Sequence, residues 1–246
     1  MAATYNSIAQ QYKSTLELPF RQYAEEYTYF DVLGDLSGKS ILDLACGEGH
    51  YTRKFKHKGA AHVVGVDISE KMIELARQEE KRKPLGIEYI VCDARELGEI
   101  DKFDMVVAAY LINYAQTREQ LIEMCRIIYT NLKPGGRFVT INENFELPPD
   151  AYSKANKYGF TRNFSEPLYD GAPMTIILTA AEGQEVSFEV YCLSNAVYDS
   201  AFQNVGFKEI RRHPIKISPD GMRELGHEYW EYFLQYPNFV CINCLK

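Results

Sequence analysis

Two short apolar runs, Ser40-Ile-Leu-Asp-Leu44 and Val63-Val-Gly-Val-Asp67, joined through a glycine-bearing loop, constrain this chain more than any other feature. The first continues as Asp43-Leu-Ala-Cys-Gly-Glu-Gly-His50. A buried strand there must stop, turn through residues without bulk and aim a helix N-terminus across the gap, and Gly47 and Gly49 permit that close approach. The second run ends in Asp67, eighteen positions after Gly49, where a carboxylate can accept hydrogen bonds from both hydroxyls of a ribose. The pattern predicts a nucleoside-binding βαβ unit.

Glycine spacing narrows the choice of nucleoside. The dinucleotide fingerprint requires a third glycine where this chain has Thr52. Downstream, Glu88-Tyr-Ile-Val-Cys-Asp93-Ala94 predicts a third strand ending in an acid, and Lys102-Phe-Asp-Met-Val-Val-Ala-Ala-Tyr110 a fourth. Asn131-Leu-Lys-Pro-Gly-Gly-Arg-Phe-Val-Thr-Ile141 reads as a tight turn into a fifth. Helical periods lie between them: Ser69 caps one helix through Met72, Ile73 and Ala76, and Thr117-Arg-Glu-Gln120 is a capping box for another. Strands alternating with helices require parallel pairing and right-handed crossovers, which puts ligand sites at the strands' carboxyl ends.

From about Ser40 through Ile141 this ordered set resembles the class I S-adenosylmethionine-dependent methyltransferases. The resemblance implies that the Asp43 to Gly49 loop holds the methionine end of the cofactor, Asp67 the ribose and Asp93 the adenine amino group, with Ala45 standing where the family has its first loop glycine. It places Ile68, Met72, Ala94 and Ala109 against the cofactor as well. Tyr5 and Tyr12 match a Tyr-x-x-Ile-Ala-x-x-Tyr opening whose helix closes over the methionine moiety in small-molecule members, although helix packing alone would also account for them. Within the family, the opening, Leu42-Asp-Leu-Ala-Cys-Gly47, Gly65-Val-Asp-Ile-Ser-Glu-Lys-Met-Ile-Glu-Leu-Ala76 and Ala108-Ala-Tyr-Leu-Ile-Asn-Tyr-Ala115 resemble toxoflavin-synthase-like N-methyltransferases of microbial secondary metabolism. That likeness implies a compact, planar or aromatic acceptor beneath an aromatic lid.

The expected architecture is an α/β, Rossmann-like doubly wound, mostly parallel seven-stranded sheet with an antiparallel C-terminal strand. One domain covers 1–246: a helical cap at 1–35, a cofactor-binding core at 36–142, a β-rich lid insertion after strand five at 143–192, and the rest of the sheet at 193–246. Tyr12, Leu16, Phe20, Tyr23, Tyr27 and Phe30 have the spacing of one or two amphipathic helices. In the insertion, Met174 to Ala180 and Val186 to Tyr191 flank the turn Ala181-Glu-Gly-Gln184 as a β-hairpin, preceded by a loop carrying Tyr152, Tyr158, Phe160, Phe164 and Tyr169. A helix from Ser194 to Val205 stopped by Gly206, a strand Phe207 to Arg212, a helix around His227 to Leu234 and a strand Phe239 to Ile242 complete the chain.

The net charge of −7 and pI near 5.4 argue against a nucleic-acid partner, because phosphate contacts demand a basic face. The Asn-Pro-Pro-Tyr motif of amino-adenine and protein-glutamine methyltransferases is replaced by Ala108-Ala-Tyr-Leu-Ile-Asn-Tyr114. The opening lacks the basic and apolar regions of a secretory signal, and no run reaches membrane-spanning length, so a cytoplasmic monomer or homodimer is expected. Cys241 and Cys244 form a lone C-x-x-C with no second pair, so no metal site is expected.

Methyl transfer from a sulfonium mainly requires holding nucleophile and methyl in line with little water present. Tyr110, Asn113 and Tyr114 beyond the fourth strand and Glu143 beyond the fifth are placed to orient or deprotonate a small-molecule acceptor at nitrogen or oxygen. Packing is the competing reading for the tyrosines, and helix capping or solvation for Glu143. Arg21 could meet a carboxylate, but a lone arginine on such a helix is expected to be exposed. A nicotinamide-dependent oxidoreductase and a non-catalytic S-adenosylmethionine-binding subunit are the alternative functions.

Overall fold

In the computed structural model, which describes residues 2–152, 154–180 and 183–246, the apolar runs form the centre of one sheet. Its first five strands are β1 (Ser40–Leu44), β2 (His62–Asp67), β3 (Glu88–Val91), β4 (Phe103–Ala109) and β5 (Leu132–Glu143). All four pairings in the order β3-β2-β1-β4-β5 are parallel, and every residue of Ile41 to Leu44 and Val63 to Asp67 is buried. Burial on both faces explains why these strands read as continuous apolar runs without alternation.

The helices α1 (Ala2–Ser14) and α2 (Tyr27–Leu33) precede the sheet. α3 (His50–His57), α4 (Glu70–Arg82) and α5 (Arg118–Thr130) make the crossovers, with the Ser69 and Thr117 hydroxyls accepting from the amides of Met72 and Gln120 as N-caps. Between α1 and α2 the chain is not plain α-helix: a 3₁₀ turn at Thr15–Glu17 leads to a π-helical stretch at Arg21–Glu26. Wide π turns inside helices mark functional positions in many proteins.

Beyond β5 come α6 (Pro149–Tyr152), a 3₁₀ turn at Ala155–Tyr158, and the strands β6 (Phe160–Phe164), β7 (Ala172–Thr179) and β8 (Glu185–Cys192). These form a separate antiparallel sheet in the order β6-β7-β8. The insertion is thus a three-stranded sheet where the sequence predicted a hairpin and a loop. Part of the predicted turn, Ala181 and Glu182, lies outside the described residues. β6 is disguised in the sequence because Arg162, midway along it, points inward.

α7 (Asn195–Val205) ends at Gly206, whose φ of 105° needs glycine, and leads to β9 (Lys208–Pro214). α8 (Pro219–Gln235) begins about eight residues earlier than its apolar period suggests and is kinked at Gly226. β10 (Phe239–Leu245) runs antiparallel to both β5 and β9, closing a seven-stranded sheet with one reversed strand. Cys241 and Cys244 are three apart on this strand, so their side chains leave opposite faces of the sheet and pack as small hydrophobes. Among the described residues no helix is long and apolar enough to cross a membrane.

Candidate active site

The loop after β1 turns as its residue sizes dictate. Ala45, Gly47 and Gly49 have φ of 58°, 57° and 85°, all left-handed. A Cβ on Gly47 would meet nothing within 4 Å, so that side of the turn faces open space, whereas one on Gly49 would lie 2.5 Å from the Tyr89 hydroxyl oxygen. Asp67, at the end of β2, fixes the loop: its Oδ2 accepts from the Gly47 amide and its Oδ1 from the Ser69 amide, both at 2.8 Å. Burial raises its pKa against the pull of these two amides. The carboxylate is therefore oriented by backbone and retains lone pairs toward the space in front of it.

That space is a cavity at the carboxyl ends of β1, β2 and β4, of about 980 Å³ counting the part open to solvent. Of the residues the sequence assigned to a cofactor, Tyr5, Tyr12, Ala45, Gly47, Asp67, Ile68, Met72, Asp93, Ala94 and Ala109 line it. Asp43 and Gly49 do not. Asp43 lies behind the loop, where its Oδ2 accepts from the Thr52 hydroxyl at 2.6 Å, and Gly49 gives the backbone room to pass Tyr89. Asp93 is on the wall, yet its carboxylate accepts from the Arg95 guanidinium, with Nη2 at 2.6 Å, which gives this acid a structural partner that the sequence did not suggest.

A second, smaller cavity, the inner chamber, whose about 380 Å³ includes space open to solvent, shares Tyr5, Tyr12, Arg21 and Tyr110 with the first. Its other walls are Phe20, Phe160, Ile176, Leu178, Phe188, Phe239, Asn113 and Glu143, from the helical cap, the insertion and the ends of the sheet. The structure thus brings Tyr110, Asn113 and Glu143 together on one chamber, while Tyr114 faces the outer one and hydrogen-bonds the Tyr5 hydroxyl. Tyr110 holds a φ of 62°, unusual for a bulky residue and a sign of local strain at the junction of the two chambers.

Two buried ion pairs frame the inner chamber. Contrary to the expectation from sequence, Arg21 is buried, and its Nη1 donates to both oxygens of Glu25 at 3.2 and 3.3 Å. Glu25 also accepts from Tyr51 at 2.6 Å and Tyr110 at 2.5 Å, and Arg21 Nη2 donates to Tyr12 at 3.2 Å. On the far side, Arg162 Nε donates to Glu143 Oε2 at 2.9 Å, and its Nη1 to Asn238 Oδ1 at 2.8 Å. Burial raises the Glu143 carboxyl's pKa more than the Arg162 guanidinium depresses it. Sequence reading missed Glu25 and Arg162, whose only signal was a charge inside an otherwise apolar period.

Residues 41–136 match the family model described as a methyltransferase domain. A ubiquinone biosynthesis O-methyltransferase of Coxiella burnetii is 33% identical over 114 residues, 45% of this chain and 47% of that enzyme. A demethylmenaquinone methyltransferase of Lactococcus lactis is 33% identical over 153 residues, 59% of each chain. The chain thus spans about half the length of these relatives. A crystal structure of an S-adenosylmethionine-dependent methyltransferase from Mesorhizobium loti superposes with a TM-score of 0.64 at 20% identity, covering 94% of this chain and all of that one. Residues 41–136 thus form a methyltransferase domain, on a fold shared with S-adenosylmethionine-dependent methyltransferases of known structure.

The outer cavity's own features fit S-adenosylmethionine. The open side of Gly47, the amide-fixed carboxylate of Asp67 and the buried, unpaired Arg21 Nε offer room for a backbone approach, acceptors for a diol and a donor for a carboxylate.

Proposed function

We propose that this protein transfers a methyl group from S-adenosylmethionine to a nitrogen or oxygen of a small, planar or aromatic metabolite held in the inner chamber. The observation that carries the reading is the shared wall: Tyr5, Tyr12, Arg21 and Tyr110 border both cavities, so occupants of the two would meet there. The names of the Coxiella and Lactococcus relatives, both quinone-pathway methyltransferases, favour a ring-bearing small molecule over RNA or protein.

When bound, the cofactor supplies a methyl carbon on a sulfonium, so a lone pair of the acceptor takes the methyl while the carbon–sulfur electrons remain on sulfur. The chain's residues then have three tasks. Asp67, Gly47 and the walls around Met72 and Ala94 bind and orient; the aromatic insertion excludes water; and Glu143, with its raised pKa, is placed to take a proton from an acceptor that must lose one. The toxoflavin-synthase-like resemblance agrees with a flat heterocycle in this slot.

The test is a transfer screen with methyl-labelled cofactor against nitrogen heterocycles, phenols, quinols and amines, beside calorimetric titration with S-adenosylhomocysteine and NAD. Labelled small-molecule product and binding of S-adenosylhomocysteine are expected. Labelling of RNA or protein alone would overturn the acceptor class, and binding of NAD alone the cofactor.

A further inference from the structure

The outer cavity runs across the ends of β3, β2, β1 and β4, which lie side by side in that order. Tyr110, after β4, is on the wall shared with the inner chamber, and Asp67 ends β2. In S-adenosylmethionine the sulfonium and the base leave opposite sides of the sugar. With the sulfonium toward Tyr110 and the ribose at Asp67, the base therefore extends beyond β2 toward β3. Cys92, Asp93 and Ala94 form the wall there, joined to β2 by the Cys92 amide, which donates to the Asp67 carbonyl at 3.0 Å. Of these three residues Asp93 alone is charged, so reading the edge of the base falls to its carboxylate.

That carboxylate is held from one side. Arg95 does not line the cavity, yet its amide and Nε donate to Asp93 Oδ1 at 2.9 and 3.1 Å, and its Nη2 to Oδ2 at 2.6 Å. Nε is shared with Oδ2 at 3.2 Å. Three N–H groups thus meet about four lone-pair sites, and one site on Oδ2 is left. The backbone turn closes without the guanidinium, since the Glu96 amide donates to the Asp93 carbonyl at 2.9 Å. What the guanidinium adds is the plane of the carboxylate, gripped side-on by a rigid fork. Its hydrogen bonds also hold the Asp93 carboxyl below the usual carboxylate range, so the group stays ionised and can only accept. Such an acceptor pairs with an amino group on the base and repels a carbonyl oxygen in the same place.

We infer that Arg95 makes the base end of the outer cavity selective for a 6-aminopurine over a 6-oxopurine, by fixing the Asp93 carboxylate with one lone pair of Oδ2 open to the base. Arg95 is a positioning residue, acting through Asp93. This rests on the S-adenosylmethionine reading of the outer cavity and adds to it the residue that sets base selectivity. Sites built to hydrogen-bond a polar group reject analogues that lack it far more strongly than apolar pockets reject a change of size.

The experiment compares S-adenosylhomocysteine with S-inosylhomocysteine, which carries oxygen in place of the amino group and is otherwise alike at that edge apart from its ring N–H. Each is titrated calorimetrically into the full chain and its Arg95→Met and Arg95→Lys variants. The wild type is expected to bind S-adenosylhomocysteine at least about tenfold tighter. Arg95→Met should weaken S-adenosylhomocysteine by about three- to tenfold and leave S-inosylhomocysteine within about twofold, so that the preference shrinks. Arg95→Lys keeps the charge without the fork, should lose the preference in the same way, and decides alone if Arg95→Met does not fold. A role confined to the stability of the loop would weaken both ligands alike, and that outcome would overturn the inference. So would a preference that survives in both variants, or a wild type that binds the two ligands equally. Binding of neither ligand by the wild type would overturn the cofactor reading and this inference with it.

Discussion

Ala45 occupies the loop position where the resemblance supplies glycine, and it pays in backbone strain, with φ at 58°. An L-residue in the left-handed region costs about 1–2 kcal/mol, partly offset because glycine loses more freedom on folding. Ala45→Gly is therefore expected to raise stability by up to ~1 kcal/mol in urea denaturation; a loss would mean that the methyl group packs usefully. Two residues earlier, burial and the neighbouring Asp67 carry the Asp43 carboxyl up to about 7, against the Thr52 hydrogen bond. The sign follows from proton uptake. Between its ordinary value near 3.8 and about 7 the folded protein binds this proton and the unfolded chain does not, so stability falls as pH rises through that window. Asp43→Asn keeps an acceptor for Thr52 and should flatten that decline, gaining on the order of a few kcal/mol at pH 8 relative to pH 4. Parallel pH profiles for wild type and variant would refute the assignment. Asp67→Ala is a different case, since it removes a proposed ligand contact: S-adenosylhomocysteine affinity should drop by ~1–3 kcal/mol in calorimetry, and unchanged affinity would mean that the ribose lies elsewhere.

Among elements, legibility follows burial. β1, β2 and β4 are buried on both faces, so their apolar runs stand out in the sequence, and Asp67 could be placed from them because it ends one. β6 could not be read this way, because Arg162 interrupts its apolar face for a partner that the fold alone brings near. Nor could α8 be bounded from its period, since Gly221 and Gly226 fall within its first turns, one against the Tyr23 ring and one at the kink. The inner chamber itself was illegible as a unit: its walls come from the cap, the turn after β4, the end of β5, the insertion and β10, and no local pattern links them. Arg162 fastens three of these elements, joining β6 to Glu143 of β5 and to Asn238 just before β10. Removing one partner of such a pair strands a buried charge, so Arg162→Met should cost ~3–5 kcal/mol in denaturant unfolding, with much of the loss recovered in Arg162→Met/Glu143→Gln. Equal losses in the single and double variants would show that the packing of the arginine, not its charge, holds the insertion down.

At the scale of the whole molecule, the cap and the insertion, more than a hundred residues apart in the chain, close the site and meet over it. Phe188 of β8 lies against the rings of Tyr5 and Tyr12 at 5.8 and 6.3 Å between centroids, and Tyr5 also hydrogen-bonds Tyr114 beside the outer cavity. α1 is held at its other side by Asn6, whose Oδ1 accepts from the Ser69 hydroxyl at 2.7 Å and from the Lys71 amide at 3.2 Å, at the start of the helix that follows Asp67. The two covers therefore share one aromatic contact, and moving either exposes the walls common to both chambers. Opening should then be coupled: ligands in both cavities are expected to protect α1 and residues 150–190 from proteolysis together, and Phe188→Ala to loosen both at once. Protection of one segment without the other, followed by mass spectrometry of the limited digest, would show two independent lids. Coupled closure suits the proposed chemistry, because a small acceptor and a sulfonium donor must be enclosed by the same event for water to be kept from the methyl group.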